Sequence, residues 1–130
     1  MIKYLLLFIF NLSIYGQKVI IGKSYKAQIA ASCKQYNDGG GCMIYDYCTL
    51  TFNKTEVIVN FSSEEYCTPN NVVNKKSINE KHYSYRIKNN TIIIKNFNEY
   101  GNLYYKGNKL IGKKEMNYKE FVPLIFNKIE

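Results

Sequence analysis

Tryptophan is missing from this 130-residue chain, and histidine occurs once, at His82. A single histidine excludes histidine-built metal centres and leaves little material for a Ser–His or Cys–His nucleophile pair. Proline is nearly as scarce, with two in the chain. No segment sustains a 3.6-residue apolar period behind a helix cap, which argues against a helical bundle or a βαβ fold. The N-terminal apolar run over residues 4–10 is interrupted by Asn11 and Ser13, well short of the ~20 residues a membrane-crossing helix needs. No phosphate-cradling motif occurs, because Gly39-Gly40-Gly41 lacks both the lysine-serine continuation of a P-loop and a strand-to-helix setting.

What is present begins with a charged start, Met1-Ile2-Lys3, the short apolar run, and Ser13-Ile14-Tyr15-Gly16 ahead of Gln17. This pattern predicts a signal peptide over 1–16 and a single domain over 17–130, secreted or periplasmic. The first cysteine after the run is Cys33, too distant to serve as a lipoprotein acceptor. In an oxidising compartment Cys33, Cys42, Cys48 and Cys67 are expected to form two disulfides. Their spacing does not match structural zinc, and neither a metal nor another cofactor is implied.

Charge is segregated along the chain. Residues 17–74 carry five basic and five acidic side chains, whereas residues 75–130 carry twelve basic against five acidic. A basic half favours anionic partners such as envelope polysaccharide, lipid head groups or an acidic protein. The basic surface is assigned to Arg86, Lys106, Lys109, Lys113 and Lys114.

Beyond Gly22 the pattern is that of strands. Runs rich in Tyr, Ile, Val and Thr over 23–32, 43–52, 56–62, 81–88, 91–97, 102–106, 109–114 and 118–128 are separated by Asn, Gly and Lys. Turns such as Asn89-Asn90 and Gly107-Asn108 supply the positive φ that tight hairpins require. Tyr83, Tyr85 and Ile87 alternate with Ser84, Arg86 and Lys88, as on a strand with one buried face. Hairpins following one another without helical crossovers predict an all-β fold, an antiparallel up-and-down meander of about eight strands closed into a small barrel. Two segments fall outside the meander and read as loops tethered by their cysteines, Cys33 to Cys42 and Ser63 to Asn79.

With Lys54-Thr55 as a two-residue turn, Asn53 faces Glu56 and the register places Cys42 opposite Cys67, leaving Cys33 to Cys48. The rival pairing joins Cys33 to Cys42 and Cys48 to Cys67, and a one-residue slip in the turn would remove the case for the first.

No catalytic constellation assembles from the sequence. His82 has no adjacent nucleophile or carboxylate motif, and Glu64-Glu65 reads as solvated charge. Thirteen tyrosines among lysines admit a stacking role, but tyrosine is also a favoured strand residue, and export argues against nucleic acid. Candidate ligand-binding residues are Tyr83, Tyr85, Tyr104 and Tyr105.

The Gly22-Lys23-Ser24-Tyr25 opening, the Leu50-Thr51-Phe52-Asn53-Lys54 hairpin, the Tyr85-Arg86-Ile87-Lys88-Asn89-Asn90-Thr91-Ile92 hairpin and the closing strand at Phe121 resemble small bacterial lipocalin-like domains of calycin type. That resemblance implies an up-and-down barrel able to hold an apolar ligand, with no catalytic set. Gly101-Asn102-Leu103-Tyr104-Tyr105-Lys106-Gly107 is similar to a region of periplasmic C-type lysozyme inhibitors, although their serine-glycine loop is missing. The sequence therefore points to an exported, non-enzymatic, non-membrane-spanning binding protein for a small apolar ligand or an anionic envelope component. The alternative is a secreted or periplasmic protein-binding inhibitor or immunity protein.

Overall fold

The computed structural model describes residues 20–69 and 71–129. The leader expected over 1–16 lies outside the described residues. Eight strands follow one another in the order β1 Ser24–Gln35, β2 Gly41–Phe52, β3 Glu56–Thr68, β4 Val72–Lys88, β5 Thr91–Ile94, β6 Leu103–Lys106, β7 Lys109–Glu115 and β8 Phe121–Ile129. Each pairs antiparallel with its neighbour in sequence, and β8 returns to β1 to close a barrel. A 3-10 turn at Asn117–Lys119 precedes β8, where a strand was expected from 118.

Period-two alternation builds the barrel wall. Tyr25 and Ala27 of β1, Cys48, Leu50 and Phe52 of β2, Val57 and Val59 of β3, Ile92 and Ile94 of β5, Leu103 of β6, Leu110 of β7, and Leu124 and Phe126 of β8 all point inward and are buried. Tyr100 and Ile20 plug the interior from the connecting segments, and Phe97 stacks between Tyr83 and Tyr100. The Asn89-Asn90 turn takes positive φ at both residues, the geometry whose twist matches that of the flanking strands.

The first four strands are longer than the barrel needs. β1 to β4 run 12, 12, 13 and 17 residues, against four each for β5 and β6. β8 reaches β1 only at Ser24–Lys26, and β5 reaches β4 only from Tyr85 to Lys88. The far halves of β1 to β4 therefore continue past the closure as a four-stranded blade, solvated along its outer strands. Bulges mark the transition, with Ile29 inserted in β1 and Ile78 in β4, where extra residues bend and twist a strand away from its neighbours. The stretches read as loops over 33–42 and 63–79 are largely this blade. Only Tyr36 to Gly40 separate β1 from β2, and the polar residues of 63–79 sit in strands because neither face there is deeply buried.

The β2–β3 register is the one the turn dictates, and Cys42 lies opposite Cys67 in a disulfide. The expected second disulfide is corrected: Cys33 and Cys48 are both free. After the Ile29 bulge Cys33 sits opposite Met43, whereas Cys48 faces the barrel core opposite Ala27. The two thiols thus lie on opposite faces and five positions apart, about 17 Å along the sheet at strand rise, beyond disulfide reach.

Candidate functional site

The four candidate tyrosines separate by strand parity. Tyr83, Tyr85 and Tyr105 face the interior and pack against the core. The Tyr85 hydroxyl donates to the Asn53 carbonyl at 2.5 Å, and its ring meets Phe52 edge-on. The Tyr105 hydroxyl is buried without a hydrogen-bond partner among the described residues, and burial beside Tyr25 and Tyr85 pushes its pKa up. Tyr104, one residue earlier, points outward and is 45% exposed.

Around Tyr104 the register assembles an outward row. Lys88 pairs with Thr91, Thr91 with Tyr104, Tyr104 with Ile111 and Ile111 with Ile125; residues directly opposite share a face. Ile125 and, two pairs further along β8, Phe121 are exposed, Phe121 by 63%. On the same face Lys106 stands directly opposite Lys109, and Lys113 opposite Pro123. Like charges directly opposed on a sheet repel, so the Lys106–Lys109 pair is a place where an anion would be stabilising. Arg86 projects from the outer side of β4 opposite Ile93, beside a cleft of about 420 Å³ that Lys95 also lines.

Lys114 is different. Its parity turns it inward, and its ammonium donates to the carbonyl of Ile29, the group that the bulge takes out of the β1–β2 ladder. It is a structural cap, while Arg86, Lys106, Lys109 and Lys113 are exposed.

A second constellation lies on the outer face of the blade, where sequence reasoning placed only solvated charge. Tyr45 and Tyr47 of β2 project beside Tyr66 of β3, and they line a groove of about 610 Å³ with Gln28, Met43, Asn71 and Val73. At its edge the Glu64 carboxylate accepts from the Tyr66 hydroxyl at 2.7 Å and from Lys26 at 3.4 Å, with Lys75 at 3.9 Å. The Tyr66 hydrogen bond and the two ammonium groups hold the Glu64 carboxyl below its ordinary range. The same hydrogen bond raises Tyr66, and burial followed by the Glu64 charge raises Tyr47. Lys26 lies 4.1 Å from the centroid of the Tyr47 ring, a cation–π contact. The legible signal was Tyr45-Asp46-Tyr47 alternation facing Glu64-Glu65-Tyr66 across a register already fixed by the turn.

His82 gains neighbours the sequence did not suggest, with Glu56 at 3.3 Å from Nδ1 and Glu80 at 4.0 Å from Nε2, on a half-exposed surface. Cys42, Cys67 and Glu65 form a compact potential metal-ligand group, but the two sulfurs are bonded to each other. No protein-family model, curated protein or solved structure matches this chain.

Proposed function

We propose that this is an exported, non-enzymatic, lipocalin-like binding protein whose ligand is an anionic envelope component, engaged as a lipid surface by the outer face of β6 to β8. The observation that carries the reading is the exposed set Tyr104, Ile125 and Phe121 on one outward face, with the buried Ile111 between Tyr104 and Ile125 and with the opposed Lys106–Lys109 pair and Lys113 alongside. Exposed apolar side chains edged by ammonium groups match an interface in which head-group phosphates overlie acyl chains. A soluble polysaccharide would satisfy the lysines but give Phe121 and Ile125 nothing to enter. The apolar-ligand reading has less support, because aromatic and aliphatic side chains fill the barrel interior.

The test is co-sedimentation with phosphatidylglycerol-containing vesicles against pure phosphatidylcholine. Binding is expected to the anionic vesicles only, falling with added salt. Each lysine near such a surface contributes about 1 kcal/mol, so replacing both Lys106 and Lys109 with glutamine lowers affinity about 30-fold. Equal partitioning onto both vesicle types, or none onto either, would overturn the reading.

A further inference from the structure

We propose that the outer face of the blade is a carbohydrate site, taking a short neutral oligosaccharide across the rings of Tyr45, Tyr47 and Tyr66. The groove of about 610 Å³ falls within the range usual for small-molecule sites, roughly 300–1,000 Å³. Its tyrosines are not accounted for by the barrel core, since Tyr45 and Tyr47 have the outward parity of β2, opposite to Cys48, Leu50 and Phe52. The blade beyond the bulges closes no barrel, so its length and its aromatic face have no evident packing purpose.

Charge and shape select the ligand class. A cation is disfavoured because the Lys26 ammonium, 4.1 Å from the Tyr47 ring centroid, repels it, and Glu64 is already paired to Lys26. An anion is disfavoured because Glu64, held ionised by Tyr66, Lys26 and Lys75, sets its own negative charge against those ammonium groups. A wholly apolar molecule gains little in a groove that stays open to water. The remaining match is a neutral molecule with one apolar face for the rings and a hydroxyl-rich edge for polar partners. A pyranose has both, its C–H face suited to tyrosine and its hydroxyls to the amides of Gln28 and Asn71.

This site uses no residue of the β6 to β8 face and stands or falls separately from the lipid reading. The experiment is binding of the full mature chain to an array of immobilised neutral and acidic glycans, followed by NMR titration with the best soluble oligosaccharide. Expected are retention on neutral glycans, shifts confined to the groove-lining parts of β1 to β4 and the Asn71 turn, and about tenfold weaker binding in each of Tyr47→Ala and Gln28→Ala. Phe121→Ser should bind glycan as the wild type does, and Gln28→Ala should keep its vesicle binding. Gln28 is exposed, so that variant tests the site even if Tyr47→Ala fails to fold. Retention on acidic glycans alone, on none, or without sensitivity to either substitution would overturn the proposal.

Discussion

At the scale of single residues, the two free cysteines differ in environment more than in chemistry. Cys48 is fully buried, and burial together with the nearby Glu99 charge pushes its thiol up to about 12; Cys33 is exposed on the blade. Because the thiolate is the reactive form, a thiol reagent at pH 8 should label one site per folded chain. Peptide mapping should find that label on Cys33, with Cys48 reacting only after unfolding. Glu64 supplies a second residue-scale test. Its folded pKa lies below the ordinary value of about 4.5, so its contribution to stability is present above that value and is lost as pH falls through the folded pKa. Melting of the wild type and of Glu64→Gln should therefore differ at pH 7 and converge in acid. A constant difference across the titration would show that the Tyr66–Glu64–Lys26 network is not the cause.

At the scale of elements, the bulge in β1 and its lysine form one unit. Ile29 leaves the ladder, and Lys114 reaches from β7 to its carbonyl. Lys114→Met keeps the length of the side chain and removes the charged donor, for an expected cost of about 1–2 kcal/mol in urea unfolding. Lys113→Met, on the exposed face, should cost little. The elements also show what the sequence makes legible. Register between β2 and β3 followed from two turn residues, because a tight hairpin leaves one way to pair. The inward parity of Tyr83, Tyr85 and Ile87 followed from alternation over a buried face. The blade's share of β3 and β4 did not follow, because residues 72–79 are exposed on both faces and polar residues in such a strand show no alternation against which a loop can be told apart. The tyrosine groove escaped for a related reason: Gln28, Tyr45 and Tyr47 fall in segments that read as strands, but Tyr66, Asn71 and Val73 fall in 63–79, which reads as a loop.

At the scale of the whole molecule, the barrel and blade share strands but not a core. The buried cluster comes from the closed part, while the blade is held by backbone pairing and by the Cys42–Cys67 disulfide, which spans 25 positions. A loop of that size gives the cross-link about 3 kcal/mol of unfolded-state restriction. Reduction should accordingly speed amide exchange over residues 30–47 and 62–78 while Leu50, Val59 and Phe126 stay protected, since local opening follows local contact density. Uniform acceleration across the barrel would mean that the two parts unfold together.

The residue inserted at Ile29 also settles a race between sulfurs. Extending the Ala27–Cys48 alignment without interruption would bring Cys33 and Cys42 face to face, only nine positions apart in the chain and so the quicker loop to close. A single odd insertion reverses the side on which Cys33 emerges, denies it that near neighbour, and leaves Cys42 to wait for the slower partner across the β2–β3 hairpin. Shortening the chain by that one residue would thus be expected to exchange one covalent ring for another, without altering any cysteine.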